Sequence, residues 1–452
     1  MNLKISWCSG PALAVLLVSA VLTACGYKTT TYSIPPTAVA LQRYNASGTP
    51  AGTPDTSLGG SGAVTTEVNP SRDDVAFAVV LQPDGKIIVV GTSFTTPASI
   101  VVIRYNANGS LDSTFGTNGT TVTSLPSADA SAFAATLQAD GKLLVAGRSC
   151  SLSGGSSFLL LRYNTAGALG TAGTLDTGFG TAGTGIVTTP IPSGSSTSAN
   201  AIAVSGTNIL VAGQSLIGVR FVIALAQYTS TGALDNTFGG TGIVTTPIAS
   251  GDAAATALAV QGDGKIVAAG LAGSASTQVW DVALLRYNTD GSFDTSFGGG
   301  DGIVTTDIGS SSNYANALAL QADGKIVVAG NAFANSSTSD IAVLRYNADG
   351  TLDTTGFGSP NGYVTTSVGA FDNGFAVAVQ PLDGKIVVAG NADAGIADRL
   401  ALLRYNADGS PDSGFGTGGI VTRAASGPST IAGAFAVALQ PADGAIVVVG
   451  YD

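Results

Sequence analysis

The chain has 452 residues, of which only 10% are charged, and a formal net charge of −11. An acidic chain with no basic patch excludes a nucleic-acid partner and electrostatic docking on anionic lipid. Histidine is absent and Glu67 is the only glutamate, which removes histidine triads, most zinc sites and histidine general bases.

Residues 1–24 read as a targeting segment. Lys4 supplies a positive start, and residues 11–22 form an apolar run too short to span a bilayer. The run ends in Leu22-Thr23-Ala24-Cys25, which resembles the bacterial lipobox. That resemblance implies diacylglyceryl transfer to the Cys25 thiol, cleavage before it and acylation of the new amino terminus. Gly26 after the cysteine favours the outer membrane by the same resemblance. Residues 25–37, threonine-rich and containing Pro35-Pro36, then form the lipidated cysteine and a polar tether. With Cys8 removed and Cys25 lipidated, Cys150 is expected to have no disulfide partner.

Residues 38–452 are built from one repeated unit, clearest at residues 375–422. Two short runs of valine, alanine and isoleucine flank an Asp-Gly turn, and two more flank an Asn-Ala-Asp-Gly segment that ends in Phe-Gly. Such β-branched runs bounded by glycine predict strands, and their near-continuous apolarity predicts sheets covered on both faces. The turn element closes at Gly91, Gly147, Gly213, Gly270, Gly330, Gly390 and Gly450. The Arg-Tyr-Asn element recurs at Tyr44, Tyr105, Tyr163, Tyr228, Tyr287, Tyr346 and Tyr405, and both elements are spaced by 56 to 66 residues. The chain opens with an Arg-Tyr-Asn half lacking its turn half and closes with a turn half lacking its partner. The two orphans complete a seventh sheet. The expected fold is all-β: a seven-bladed β-propeller of four-stranded antiparallel blades, closed by pairing the terminal half-blades.

In such a ring the Asp-Gly-Lys turns and the Asn-x-Asp-Gly segments share one face, which repeats. The other face carries loops that differ from copy to copy, and variation marks where residues are free for recognition. Four aspartates, Asp73, Asp129, Asp252 and Asp372, each lie eleven residues before a turn aspartate. They are expected at the channel mouth on the variable face, as candidate ligand-binding residues. Trp280 on a variable loop is a further candidate, since an exposed indole stacks on sugar or peptide. The series Lys86, Lys142, Lys265, Lys325 and Lys385 reads as solvated hairpin lysines. No cofactor is expected, with one exception to test: Asn347, Asp349 and Asp353 and their equivalents alternate oxygen ligands before a glycine, as a calcium loop does, but lack its terminal glutamate. The competing reading is an Asx turn, with the later aspartate pairing with the strand arginine.

The complete unit, LQ-x-DGKI-VVAG followed by LLRYN-x-DGSLD-x-x-FG-x-GIV-TT, resembles the bacterial delta-60 repeat family of β-propellers over residues 38–450. One copy departs at Asn208 and at Gln227-Tyr228-Thr229, and the first has Leu58 for the phenylalanine. The family implies surface or secreted lipoproteins without an established activity. The expected protein is a lipid-anchored envelope monomer, a non-catalytic binding module for an envelope protein or glycan. The alternative is a metal-dependent hydrolase of carbohydrate or lactone using the mouth aspartates.

Overall fold

The computed structural model of the protein describes residues 37–452, apart from 49–50, 152–153, 167–170, 181–182, 249–250, 274–278, 310, 336–337, 394–397 and 425–431. Cys25 and the tether before Thr37 lie outside these residues. Seven four-stranded antiparallel sheets follow one another round a ring. Blade 1 comprises Asp74–Leu81, Ile87–Ser93, Ser99–Tyr105 and Thr120–Thr123, from innermost to outermost strand. Blades 2 to 6 repeat that order and begin at Ala128, Gly194, Ala253, Asn313 and Asp372. Blade 7 takes Gly433–Leu439 and Ile446–Tyr451 from the end of the chain, and Val39–Tyr44 and Ala63–Thr66 from its start. The split blade is sealed by antiparallel pairing from Val39↔Tyr451 to Tyr44↔Ile446. The expected ring and its closure are both present.

The apolar runs behave as their composition predicts. Second and third strands such as Ile87–Ser93 and Ser99–Tyr105 are buried at every position, because neighbouring blades cover both faces. Three devices then join the blades. The tyrosine of each Arg-Tyr-Asn element is buried, and its hydroxyl reaches the outer strand of the preceding blade. Tyr105 meets Thr66 at 2.6 Å, while Tyr163 meets Thr123 and Tyr346 meets Thr306 at 2.8 Å. In blade 7 Arg423 stands in the threonine's place, and the Tyr44 hydroxyl donates instead to Gln42 Oε1 at 2.5 Å.

The second device lies against the closing glycine. Every innermost strand carries a one-residue irregularity opposite it, between Ala76 and Ala78 in blade 1 and between Ala315 and Ala317 in blade 5. A Cβ on Gly330 would sit 1.7 Å from the Tyr314 carbonyl oxygen, and one on Gly390 1.8 Å from that of Asn373. Close backbone approach, rather than a turn, is what requires glycine there. The extra residues are Phe77, Phe133, Asn200, Thr256, Asn316, Phe375 and Phe435, all half-buried.

These extra residues supply the third device, which differs round the ring. On four consecutive blades they form an aromatic arc, Phe375–Phe435 at 5.0 Å, Phe435–Phe77 at 5.2 Å and Phe77–Phe133 at 5.7 Å between ring centroids. On the other three blades they bond to the next blade's backbone. Asn200 donates to Ala255 O at 2.9 Å, Thr256 to Ala315 O at 2.7 Å and Asn316 to Gly374 O at 3.0 Å. The arc straddles blade 7, the one blade without a continuous chain.

Candidate functional site

On the repeating face five of the seven blades bury an arginine and an aspartate against a phenylalanine; blade 7 has Leu58 for the phenylalanine and blade 3 has Gln227 for the arginine. In blade 5 the Arg345 Nε donates to Asp353 Oδ2 at 2.9 Å, and the guanidinium lies 4.9 Å from the Phe357 ring centroid. Its Nη1 donates to Ala407 O in the next blade, just as Arg43 reaches Ala107 O and Arg404 reaches Ala46 O. The arginine therefore clamps three things: its own turn, the ring below it and the following blade.

The lysines are a correction. They are not merely solvated: Lys86, Lys142, Lys265, Lys325 and Lys385 each place Nζ 2.7 to 2.9 Å from the clamp aspartate. Since lysine comes from one turn and aspartate from the other, these pairs also establish that both repeated turns share a face. Burial alone would raise the Asp176 carboxyl, but Lys142, the Gly178 amide and Arg162 hold it down at about 2. Blade 3 makes the same shape without cations. Gln227 donates to Asp235 Oδ2 at 2.9 Å and Asn208 at 3.1 Å, while the other carboxylate oxygen accepts the Thr237 amide.

The expected calcium set is placed within this scheme. Asp349 Oδ1 accepts the Thr351 amide at 2.9 Å and its hydroxyl at 2.6 Å, an Asx turn. Asn347 donates to the Thr351 hydroxyl, and Asp353 faces Arg345 and Lys325. Among the described residues no three His, Cys, Asp or Glu side chains are placed to hold a metal ion.

The variable face has different chemistry. Asp73, Asp129 and Asp252 occupy equivalent positions, and each carboxylate accepts an amide at the start of the preceding blade's third strand: Thr37 at 2.9 Å, Ala98 and Phe221 at 2.8 Å. They brace seams between blades. Asp372 is not their equivalent. The blade 6 turn holds one residue more, Pro381-Leu382 where blade 1 has Pro83 alone, so Asp372 matches Asp74 in register. Both are buried and both accept two amides from the preceding crossing, Val68 and Asn69 on Asp74, Val368 and Gly369 on Asp372. Trp280 is half-buried over Gly273, with its ring centroid 6.2 Å from that of Tyr314. Cys150 is buried near the end of the second strand of blade 2, and Cys8 and Cys25 lie outside the described residues.

A corner that sequence reasoning missed lies where blades 6 and 7 meet. Asp393 and Asp398 face each other directly across the second and third strands of blade 6. Burial, and then the Asp393 charge, push the Asp398 carboxyl up to about 6, against one hydrogen bond from Asn391. Burial likewise raises Asp372, with Asp340 and Asp393 adding to it. From blade 7 the Tyr451 ring, 7% exposed, stacks 5.5 Å from Phe435 and covers Gly433. The neighbouring Ala432 amide donates to Asp398 O at 3.2 Å. The one legible trace was Asp393 and Asp398 standing at either end of a loop.

This corner makes stability depend on pH. A carboxyl raised in the folded state opposes folding when ionised, so that penalty is present above about pH 6 and is relieved as pH falls towards the unfolded value near 4. Asp398→Asn is expected to stabilise the ring by on the order of 2 kcal/mol at pH 7.5, after discounting for partial exposure. The gain should vanish by about pH 4 in thermal melts across pH. An Asp398→Asn variant no more stable than the parent at pH 7.5 would contradict it.

Six stretches, residues 82–115, 138–179, 208–238, 261–297, 321–355 and 382–415, match a family model described as a domain of unknown function (DUF5122) beta-propeller. No curated protein matches the chain. Among solved structures it is similar to an ulvan lyase from a new polysaccharide lyase family, at 11% identity and TM-score 0.42, covering 79% of this chain and 84% of that one. A streptogramin B lyase is similar at 9% identity and TM-score 0.41, covering 92% and 98%. A protein of unknown function from Dyadobacter fermentans is similar at 12% identity and TM-score 0.41, covering 84% and 95%. None of these likenesses bears on what the chain does. The chain is a seven-bladed β-propeller whose repeats match that family of unknown function.

Proposed function

We propose that this propeller is a non-catalytic binding module, tethered to the bacterial envelope through a lipidated Cys25 and presenting its variable face to an envelope protein or glycan. One observation supports the reading above others. The repeated charges are consumed by the clamps of one face, whereas on the other face the carboxylates at Asp393 and Asp398 stand together. In-cell photo-crosslinking tests it, with the crosslinker at Val219 or Arg399 on the variable face and at Leu382 on the repeating face. All three are exposed, Val219 at 89% and Leu382 at 98%. A discrete partner is expected from the first two alone.

The hydrolase reading is favoured by one feature. A carboxyl pushed up to about 6 opposite a second carboxylate is the acid and base division that glycosidases use. Turnover of a polysaccharide or lactone that disappears in Asp398→Asn would replace the binding reading with that one.

A further inference from the structure

The aromatic arc has a side that no blade covers. Phe375, Phe435, Phe77 and Phe133 sit within the innermost strands and are half-buried, although neighbouring blades cover both faces of each sheet. Their exposure is therefore into the central channel, where they form one aromatic wall across four blades. Towards the repeating face the lining stays apolar and half-buried, with Val79, Val80 and Leu81 in blade 1 and Val377, Ala378 and Val379 in blade 6. At blade 2 the wall ends beside a cation. Arg148 follows the closing Gly147, near the variable-face end of its strand. In two other blades the residue at that position touches the extra residue: Asn331 accepts from Asn316 at 2.9 Å, and Tyr451 lies 5.5 Å from Phe435. In blade 2 the corresponding pair is Arg148 and Phe133. The alternate residues Leu144 and Ala146 pack on blade 3, so Arg148 faces the same way, towards Gly194–Ser205, a strand without a carboxylate. Directly opposite Arg148 in register stands the buried Ser131.

The clamp arginines each meet a carboxylate at 2.7 to 2.8 Å. Arg148 is half-buried and makes no ion pair among the described residues. Burial lowers its pKa, and the Asp129 charge, on a carboxylate that already accepts the Ala98 amide, acts the other way. A guanidinium taken from water without a partner favours an anion, and its planar fork suits a carboxylate. The aromatic wall beside it suits an apolar body attached to that carboxylate. We infer that the channel mouth at blade 2 binds a small organic carboxylate with an apolar body, Arg148 taking the carboxylate and the phenylalanine wall the body. The inference rests on the reading of the variable face as the binding face, and it adds a small-molecule ligand of stated chemistry.

The probe is 4-phenylbutyrate, titrated by calorimetry into the full chain carrying Cys25→Ser, beside its neutral counterpart 4-phenylbutan-1-ol. The Cys25→Ser change leaves no acyl chain of the protein's own to compete. Saturable binding of the acid is expected, at least about tenfold tighter than that of the alcohol. Arg148→Gln should bring the acid down to the level of the alcohol, and Arg148→Lys should restore part of the difference. Phe133→Ala should weaken both probes alike. Asp129→Asn removes the opposing charge while keeping an acceptor for the Ala98 amide, so it should tighten the acid alone. Arg399→Gln, at an exposed arginine on blade 6 of the same face, should change nothing, and unchanged melting temperatures would show that the variants fold. Should Arg148→Gln melt early, the ratio of acid to alcohol and its rise in Asp129→Asn decide instead. Equal binding of the two probes, or full binding of the acid by a folded Arg148→Gln, overturns the inference. If the acid fails to bind while Val219 still crosslinks to a partner, the channel mouth is wrong and the face is right. If both fail, the binding reading falls with it.

Discussion

Replacing Asp353 by alanine is expected to destabilise the ring by about 3–5 kcal/mol, the largest effect of any single charge on the repeating face. The side chains of Arg345 and Asp353 are only 7% and 5% exposed, so removing the carboxylate strands a guanidinium between Phe357 and the next blade. Lys325 loses its partner as well. The comparison that isolates the cause is already written into blade 3. Transplanting its chemistry as the double variant Arg345→Gln with Lys325→Asn keeps two donors on the carboxylate while removing both cations. That pair should cost well under half of the Asp353→Ala loss in chemical denaturation. A double variant as unstable as Asp353→Ala would mean that the arginine's reach to Ala407 and Phe357, rather than charge compensation, is what holds the seam.

Gly330→Ala is expected to cost about 3 kcal/mol or more, although it adds one methyl group in a strand. The added Cβ would overlap the Tyr314 carbonyl oxygen at 1.7 Å, and the Ala315 Cα lies at 3.1 Å, so the innermost strand must move or lose its extra residue. Losing it would also withdraw Asn316 from the Gly374 carbonyl of blade 6. Gly262→Ala is the matched control: nothing lies within 4 Å of a Cβ there, and the equivalent position in blade 5 is Ala322. It should leave the melting temperature unchanged or slightly higher. A Gly330→Ala variant as stable as Gly262→Ala would show that the strand can straighten freely, and the bulge would lose its role.

Much of the fold was legible because every blade must solve the same problem. A sheet buried on both faces needs continuous apolar runs, a glycine where backbones touch and turns of fixed chemistry, and these recur at Gly91, Tyr105 and Asp112 and their copies. The order of the half-units gave away the split blade. Features that join blades were harder to see, because their partners are some sixty residues apart in sequence. Tyr105 with Thr66 and Arg345 with Ala407 are examples. Counting back from the turn aspartate also misplaced Asp372, since one extra turn residue shifts the register by one and moves a side chain from a seam to the buried crossing. The lysine ladder looked solvated because hairpin lysines usually are; only the structure brings the second turn under it.

The blade 6 and 7 corner was invisible for the opposite reason. It uses residues that occur once, Asp393, Asp398 and Tyr451, so no internal copy announces them. The division between the two faces is the central claim, because a site built from unrepeated residues matters only if the protein meets its partner there. Photo-crosslinking from the two faces in living cells tests that division most directly. Val219 and Arg399 are predicted to give the same discrete adduct, while Leu382 gives none. An adduct from Leu382 with silence from Val219 and Arg399 would place recognition on the clamp face and contradict the account.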